Sequence, residues 1–441
     1  MRITRRDALR FAGAGALLAA APNLASALGA FRPGDESLYP QDNSAPWPVL
    51  QGPTDDRSAT FILLLPVGYP FSILVNDGSG GRRPASVVAT TPMPHLGLAT
   101  YEVAVTGLAP GRDYTLFLLN SEGAYFDRRI FRALDVHRVR PFRFAAASCM
   151  NDLFERHSIT MWEAMAREEC DFVILHGDTC YADQRMLEDG PLGIARRYSE
   201  TRMALSWFRM ERLTPTFAVW DDHDFGTNNG DRTFEYAGFT RDLFRQFWGS
   251  RETATWHKGL GVGSRLEAFG QRFFMLDGRS FRDPPETPDG RHWGPEQLAW
   301  LSRHMGNDRR PAFIINGNQY FGVNPLRESV EADQPGDLRR IMADLASSPA
   351  PVALISGDVH FSEIRAIDRA WLGYDSYEFT ASSIHSAPNP GFVRQGNIVS
   401  ERWHNFMTFD VDFAGGWDIR SRSILEGNRV SFDESFAIAR H

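Results

Sequence analysis

Apolar and polar positions alternate in two different ways along the chain, and the change falls at about residue 140. From Trp47 to about Leu134, short apolar or β-branched runs are separated by clusters of Gly, Pro, Asn and Asp, which is typical of strands joined by turns. The clearest runs are Thr60–Leu65, Phe71–Val75, Tyr101–Val105 and Tyr114–Leu119. No stretch in this part has a convincing helical period, so the pattern predicts a β-sandwich.

After residue 140 the apolar runs alternate with segments of helical period, such as Ser158–Glu169, Phe239–Trp248 and Glu296–Met305. Strands separated by helices need crossover connections, which predict a largely parallel or mixed sheet covered on both faces. The runs Phe406–Val411 and Trp417–Ile424 then return to alternating strands. We therefore expect one large α/β domain from residue 140 to residue 441.

The first 27 residues have the pattern of an export signal. Arg5 and Arg6 precede a weakly hydrophobic run of Ala, Gly and Leu that ends in the small-residue cleavage site Ala25–Ala27. The paired arginines resemble the twin-arginine signal, which favours export in the folded state over an ordinary secretory signal or an uncleaved anchor. The predicted division is thus a signal peptide at 1–27, a β-sandwich domain at 28–139 and the α/β domain at 140–441, in a periplasmic or secreted protein.

Composition narrows the functional classes. Apolar residues make up 43% and charged residues 23% of the 441 residues, the balance of a globular protein. The net charge of −8 disfavours specific binding of nucleic acid. Three cysteines are too few for a disulfide scaffold of this size, although they could be ligands. No second hydrophobic run is long enough to cross a membrane, and we expect a monomer.

Six apolar runs of the α/β domain end in unusual polar clusters. Because ligand sites lie at the carboxyl ends of strands in open α/β sheets, these clusters can converge although they are far apart in sequence. A single Asp or Asn at a strand end is commonly a turn former, but six such endings are hard to explain in that way. The clusters are Ser148–Asn151, His176–Tyr181, Asp221–Asp224, Asp277–Arg279, Asn316–Gln319 and Ser356–His360.

The residue types in these clusters indicate bound metal. Carboxylates brought together repel one another unless cations neutralise them, and three aspartates are candidates: Asp178, Asp222 and Asp358. A thiolate, a phenolate and an imidazole suit a strongly acidic ion such as ferric iron, whereas an all-oxygen set suits calcium, magnesium or manganese. The candidates of the first kind are Cys149, Tyr181 and His360. Two unlike metals sharing a carboxylate would hold a phosphoryl oxygen and an attacking hydroxide.

Six motifs, in this order, carry a resemblance to a known family. They are ASCMN (Ala147–Asn151), HGDTCYAD (His176–Asp183), WDDHDFGTNN (Trp220–Asn229), LDGRSFRDPP (Leu276–Pro285), GPEQLAWL (Gly294–Leu301) and SGDVHFSE (Ser356–Glu363). With them the chain resembles the alkaline phosphatase D-like family of the calcineurin-like metallophosphoesterase superfamily. The resemblance implies an α/β (α+β) metallophosphatase sandwich of mixed sheets flanked by helices, after a small all-β domain of fibronectin or immunoglobulin type. In such modules a tyrosine placed like Tyr114 closes a structural corner.

The resemblance also implies residue roles. Asp178 would bridge two metal positions, with Cys149, Tyr181 and His360 on the Fe³⁺ side. Asp222 and Asp358 would serve the second side, where relatives hold Ca²⁺, with help from Asn228. His223 would stabilise the phosphoryl group or protonate the leaving oxygen, and Arg279 would help to bind phosphate. Some relatives have Glu soon after the tyrosine of GDxxY, where this chain has Ala182 and Asp183.

The implied activity is hydrolysis of a phosphate monoester or diester by metal-activated hydroxide. Two other interpretations remain open: a phospholipase-D-like esterase acting on phospholipid or teichoic-acid diesters, and a non-catalytic binding protein on a phosphatase scaffold. The sequence has neither a GxSxG elbow nor a P-loop, which disfavours an α/β-hydrolase and a nucleoside triphosphatase. Asp221 is expected to hydrogen-bond rather than bind metal, and Cys170 to lie in the core.

Overall fold

The computed structural model describes residues 47–152, 155–322, 329–388, 397–413 and 416–440. The predicted signal peptide at 1–27 lies outside these ranges. The first eight strands form two antiparallel four-stranded sheets, in the orders β1-β2-β6-β5 and β4-β3-β7-β8. These strands are β1 (Val49–Thr54), β2 (Ser58–Pro66), β3 (Ser72–Asp77), β4 (Arg82–Arg83), β5 (Ala85–Met93), β6 (Leu98–Thr106), β7 (Asp113–Leu119) and β8 (Tyr125–Arg132).

Aromatic side chains fill the space between these two sheets. The Phe131 ring lies edge-on to Phe61 of the other sheet, with centroids 4.8 Å apart, and stacks on Tyr114 at 5.4 Å. The Tyr114 hydroxyl accepts a hydrogen bond of 2.7 Å from the backbone N–H of Ala109. The expected structural corner is therefore present, and all four predicted apolar runs lie largely within strands.

Strand β2 is buried on both of its faces. Phe61 and Leu63 point into the core between the two four-stranded sheets, whereas Ile62 and Leu64 join the core of the rest of the chain. A strand covered on both sides has no solvent-facing positions, which explains why Phe61–Leu65 is an unbroken apolar run rather than an alternating one. The first part of the chain is thus packed firmly against the second.

Residues after 140 form two larger mixed sheets. A six-stranded sheet has the order β11-β10-β9-β20-β21-β22, and an eight-stranded sheet has the order β12-β13-β14-β15-β16-β18-β17-β19. The strands are β9 (Phe142–Ala147), β10 (Phe172–His176), β11 (Thr216–Val219), β12 (Trp256–Lys258), β13 (Ser264–Ala268), β14 (Gln271–Met275), β15 (Ala312–Ile315), β16 (Val352–Ser356), β17 (Ser362–Ile367), β18 (Ser376–Thr380), β19 (Val399–Glu401), β20 (Asn405–Asp412), β21 (Trp417–Leu425) and β22 (Arg429–Ile438).

Helices connect the parallel strands. Among the described residues they are α1 (Glu155–Arg167), α2 (Asp183–Asp189), α3 (Pro191–Ala204), α4 (Asp222–Phe225), α5 (Ala237–Trp248), α6 (Gly294–Met305), α7 (Val330–Asp333), α8 (Pro335–Ser347) and α9 (Arg369–Leu372). Helix α1 packs on β21, while α6, α7 and α9 pack against α8. Three of these helices match the predicted segments, with α1 starting three residues earlier than the helical period suggested. None of the described helices has the length and apolar character needed to cross a membrane.

The two mixed sheets pack face to face through phenylalanines. Phe144 of β9 lies 5.2 Å from Phe313 of β15, and Phe379 of β18 lies 5.3 Å from Phe409 of β20, measured between ring centroids. Strands β9, β10 and β11 are parallel, as are β14, β15, β16 and β18, so their carboxyl ends lie on the same edge of each sheet. The mixed-sheet architecture expected from the sequence is present, and that edge is where the polar clusters meet.

Candidate metal centre

Four loops that follow parallel strands bring ligand-type atoms together. One ligand atom each from Cys149, Asp178 and His360 lies within 4.8 Å of the others, and a second group at the same spacing contains Asp178, Asp222 and His223. Asp178 belongs to both groups, as expected for a bridging carboxylate. A third group consists of Asp221, Asp222 and Asp358, so the predicted second side of the site contains one more carboxylate than the sequence suggested.

The backbone at the site is unusual. Cys149, Asp178, Asp358 and His360 have φ values of 58°, 50°, 74° and 60°, in the left-handed region that disfavours residues with a Cβ atom. These are four of the nine non-glycine residues with positive φ in the described ranges. Residues held in this conformation concentrate at functional sites, because the surrounding structure must supply the energy that maintains them.

A thiol, a phenol and an imidazole line one side of Asp178. The Cys149 Sγ atom lies 3.4 Å from Asp178 Oδ2, and the Tyr181 hydroxyl lies 3.2 Å from His360 Nε2. His360 Nδ1 is 2.8 Å from the carbonyl oxygen of Ala387, a contact that assigns the proton to Nδ1 and leaves the Nε2 lone pair directed at the site. The structure therefore brings together the three residues predicted for the Fe³⁺ side.

Two serines that sequence reasoning missed support this side. Ser382 Oγ lies 3.1 Å from Cys149 Sγ and accepts a hydrogen bond of 3.0 Å from the backbone N–H of His360. Ser386 Oγ lies 2.6 Å from the Tyr181 hydroxyl. Both serines belong to the TASSIHS segment (Thr380–Ser386) after β18, which is part of the resemblance but to whose serines no role was assigned.

His223 has an acidic partner. Its Nδ1 atom lies 2.9 Å from Asp183 Oδ2, and its ring stacks on Tyr181 with centroids 4.2 Å apart. Asp183 stands where this chain departs from some relatives, and that departure was the sequence signal for it. Although burial acts in the opposite direction, Asp222 and Asp183 raise the pKa of His223 to about 9. The ring is thus held as a cation at neutral pH beside the carboxylates.

Arg279 lies behind the carboxylates instead of at an open surface. The side chain is fully buried, its Nε donates a hydrogen bond of 2.6 Å to Asp221 Oδ1, and its Nη1 donates one of 3.3 Å to the carbonyl oxygen of Gly230. Asp221 is thereby engaged by an arginine, as its expected hydrogen-bonding role requires, but its group with Asp222 and Asp358 also makes it a candidate ligand. These contacts hold Asp221 in place, and the expected role of Arg279 in binding phosphate stays a prediction.

Two asparagines follow His223, and the structure gives them different surroundings. The Asn228 side chain is exposed and donates a hydrogen bond of 3.1 Å to Asn229 Oδ1. The backbone N–H of Asn229, which has a positive φ, donates a hydrogen bond of 2.7 Å to Asp222 Oδ2. The described contacts thus connect Asp222 to Asn229, and the expected help of Asn228 on the second side stays a prediction.

Asp224 connects two of the loops that provide ligands. Its carboxylate accepts hydrogen bonds from the backbone N–H of Cys180 at 2.9 Å and of Asp221 at 3.0 Å, and it also binds the Thr179 hydroxyl. With Asp221 it forms a capping box at the start of α4. This fixes the loop after β10 relative to the loop after β11, and with them Asp178 relative to Asp222.

Charge and burial test whether these residues fit metal ions. Burial, together with Cys149 and Asp222, raises the pKa of Asp178 well above its usual range, and burial raises that of Cys149 to about 12. Burial likewise raises the pKa of Tyr181 well above its usual range. A carboxylate, a thiolate and a phenolate can coexist here in ionised form only when positive charge is present. The donor set therefore fits a centre with more than one metal ion.

Two mixed sheets packed face to face define an α/β sandwich, and the ligand-type atoms at the carboxyl ends of its parallel strands are compatible with a metal site. The solved structure of PhoD has a similar fold: it aligns with a TM-score of 0.67 and 16% identity over 90% of each chain. Structures of Astrotactin-2 and of a Bacteroides ovatus GH5 xyloglucanase align with TM-scores of only 0.16 and 0.15, which do not indicate a shared fold. No family model matches the chain, and no curated protein matches it in sequence.

Proposed function

We propose that this chain is a metal-dependent hydrolase of phosphoric esters. The observation that carries the proposal is the position of Asp178, which belongs to two groups of ligand atoms that differ in chemistry. One group contains a thiol and an imidazole, and the other contains a second carboxylate and His223, whose raised pKa makes it a cationic neighbour of the ion and not a ligand. Such an arrangement suits two unlike metal ions a few ångströms apart. The fold shared with PhoD supports the same class of reaction.

The proposed metals are Fe³⁺ beside Cys149, Tyr181 and His360, and Ca²⁺ beside Asp222 and Asp358, with Asp178 between them. Soft and phenolic donors favour the first ion, and an oxygen-rich set favours the second. Asp221 is a further candidate on the calcium side, and the exposed Asn228 is the weakest candidate. When bound, the ions would supply an acidified water as the nucleophile and positive charge for the phosphoryl oxygens.

Residues of the chain perform the other steps. Asp183 holds a proton on Nδ1 of His223, so that a second proton on Nε2 is available to the leaving alcohol oxygen. Tyr181 stacks on the imidazole and restricts its rotation. Arg279 fixes Asp221 through its Nε–H, which keeps the carboxylate cluster in register. No serine nucleophile is needed.

The proposal extends to the cell biology and the domains of the protein. Residues 1–27, with Arg5 and Arg6, support export through the twin-arginine machinery to the periplasm or the medium. The domain boundary is placed near residue 139, between the end of β8 at Arg132 and the start of β9 at Phe142. The all-β part at 28–139 is proposed to be of fibronectin or immunoglobulin type, which the Tyr114 corner supports. The monomeric state is part of the same proposal.

Natively exported protein provides the direct test. Elemental analysis is expected to find iron together with calcium, and hydrolysis of p-nitrophenyl phosphate or bis-p-nitrophenyl phosphate is expected to stop after chelation. The matched variants are His223→Asn, which should retain metal and lose activity, and Asn228→Ala, whose side chain is exposed. Zinc alone would refute the metal assignment. Hydrolysis that persists in excess chelator, or bound metal without hydrolysis of any ester, would refute the proposed reaction.

A further inference from the structure

A buried glutamate outside the groups of ligand atoms connects two neighbouring loops. Glu378 of β18 is 1% exposed. Its Oε1 atom accepts hydrogen bonds from the backbone N–H of Tyr320 at 2.8 Å and from the Ser356 hydroxyl at 2.7 Å, and its Oε2 atom accepts one from the N–H of Phe321 at 3.1 Å. One carboxylate thus holds two loops: the loop after β15, which contains Tyr320 and Phe321, and the loop after β16, which begins at Ser356.

The two loops touch where there is no room for a side chain. A Cβ atom on Gly357 would lie 2.9 Å from the carbonyl oxygen of Gly317, and one on Gly317 would lie 2.6 Å from the Cβ of Asp221. Contacts this close leave no room for a Cβ atom on Gly357 or Gly317, and a shift of a few tenths of an ångström in either loop would be passed on to its neighbour. Asp358 directly follows Gly357, so the spacing of the loops sets the position of a candidate ligand.

Ser356 also connects the glutamate to a third loop. Its carbonyl oxygen is 2.9 Å from His176 Nε2, and His176 is the last residue of β10, two positions before Asp178. Because a carbonyl oxygen only accepts hydrogen bonds, Nε2 of His176 carries the donated proton. Ser356 therefore contacts Glu378 through its hydroxyl and His176 of β10 through its carbonyl oxygen, and β10 is the strand that precedes Asp178.

The neighbouring charged residues Arg365 and Glu363 do not make the connection that Glu378 makes to Ser356. Arg365, paired with Glu378 across β17 and β18, donates hydrogen bonds of 2.7 Å to the Phe321 carbonyl and 2.8 Å to Glu363 Oε1. Glu363 in turn accepts a hydrogen bond of 3.0 Å from Gln319. Both glutamates therefore hold the loop after β15, and of the two only Glu378 is described as reaching Ser356. The Thr380 hydroxyl makes a second connection, with Gln319 at 3.0 Å and with the Ser356 hydroxyl at 3.0 Å.

We propose that Glu378 is a positioning residue of the metal centre, which fixes the loops after β15 and β16 to each other and thereby sets the position of Asp358 relative to Asp178. Outer groups of this kind change metal affinity by about 10–100-fold when they are removed. The inference rests on the metal site of the proposed function, not on the reaction assigned to it.

Metal retention measures this role without reference to activity. Holoprotein is dialysed against graded concentrations of EGTA, and the remaining calcium and iron are determined for the wild type and for Glu378→Gln. The variant keeps the shape of the side chain but places an amide where a backbone N–H needs an acceptor. Its apparent calcium affinity is expected to fall by about 10–100-fold at a temperature where both proteins are folded. An affinity within twofold of the wild type overturns the proposal.

Two further variants separate positioning from general stability. Asp127→Asn breaks the buried Asp127–Arg129 ion pair of the first four-stranded sheets, far along the chain from the metal centre, and should lower stability while calcium affinity stays unchanged. Ser356→Ala removes the hydroxyl that donates to Glu378, together with its 3.0 Å contact to the Thr380 hydroxyl, and it decides the question if Glu378→Gln does not fold. The double variant is expected to retain calcium as well as Glu378→Gln alone, because both changes break the same connection.

The outcomes distinguish this proposal from the proposed function. Additive losses in the double variant, or an equal loss of calcium in Asp127→Asn, would show that Glu378 acts only through overall stability and would overturn the positioning role. Protein that binds calcium and iron with the expected dependence on Glu378 but hydrolyses no ester would refute the proposed reaction alone. Wild-type protein that holds no metal would overturn both.

Discussion

The first eight strands and the metal centre contain the same types of residue in opposite arrangements. In the first part, the buried aspartate Asp127 is paired directly with Arg129, the sheets are regularly paired, and no described non-glycine residue has a positive φ. At the metal centre, three aspartates lie within 4.8 Å of one another, and four candidate ligands are held in the left-handed region. The contacts of the first eight strands stabilise the fold, whereas the carboxylates of the metal centre repel one another.

The difference shows where stability and function are separable. A residue in the first region contributes through packing, so its loss is expected to reduce the free energy of unfolding and to leave the chemistry of each folded molecule intact. A residue at the metal centre contributes through charge and position, so its loss is expected to abolish chemistry at little cost in stability, or with a gain. Four predictions test this contrast.

The largest effect is expected for Asp178→Asn. Loss of the shared carboxylate should remove metal and lower kcat/KM more than about 10³-fold, because metal-assisted catalysts commonly accelerate reactions 10⁶-fold or more. The free energy of unfolding of the metal-free protein should stay constant or rise, since a buried acid that repels Asp222 has been removed. Metal analysis, steady-state kinetics and urea titration of the same preparations provide the measurements. A large loss of stability would contradict the contrast.

Phe131→Ala should show the reverse. Phe131 is fully buried between Phe61 and Tyr114, so truncation leaves a cavity and should cost about 3–5 kcal/mol of unfolding free energy. Metal content and kcat per folded molecule are expected to match the wild type. The matched control is Val67→Ala at an exposed position of the same region, which should change stability by less than about 0.5 kcal/mol. If fully folded Phe131→Ala protein lost metal, the stability of the first region and the metal binding of the second would not be separable.

A pH titration should detect the cost of burying Glu378. Burial raises its pKa to about 6 from 4.5, although Arg365 opposes the change. The folded protein then binds more protons than the unfolded chain between pH 4.5 and 6, so the stability that Glu378 contributes is complete below pH 4.5 and is lost as the pH rises to 6. The difference in unfolding free energy between metal-free wild type and Glu378→Gln should shift by about 2 kcal/mol across this window. The corresponding difference for Phe131→Ala should not depend on pH.

The smallest effect is expected at the tyrosine corner. Tyr114→Phe removes the hydroxyl that accepts the Ala109 N–H and should lower the unfolding free energy by about 1 kcal/mol, without affecting metal content. Differential scanning calorimetry of the two proteins measures this. A Tyr114→Phe protein as stable as the wild type would show that water replaces the hydroxyl at this corner.

The sequence predicted the parts of the fold that depend on local periodicity. Runs such as Tyr114–Leu119 and Phe239–Trp248 lie within β7 and α5 because their apolar spacing matches a strand and a helix. The convergence of the polar clusters followed from the same pattern, since parallel strands place their carboxyl ends together. Cys149, Asp178, Tyr181, Asp222, His223, Asp358 and His360 are accordingly found in one region.

The remaining features depend on long-range contacts, which the hydrophobic periodicity of the sequence does not predict. Asp183 reaches His223 across 40 residues, and Ser382 reaches Cys149 across 233. The burial of Arg279 against Asp221 likewise follows from the packing of two loops, not from the LDGR motif itself. In each case a polar residue was visible in the sequence, but its partner was set by the tertiary fold.

The two-sided burial of β2 has a consequence for how the chain can be divided. Ile62 and Leu64 belong to the core of the larger domain, so the first eight strands provide part of the wall of that core. Removing residues 28–139 would uncover an apolar seam on the remaining chain, and excising them as a separate module would uncover its counterpart. We therefore expect the two parts to melt in a single cooperative transition, so the all-β region is a structural part of the metal-binding half and not a detachable accessory.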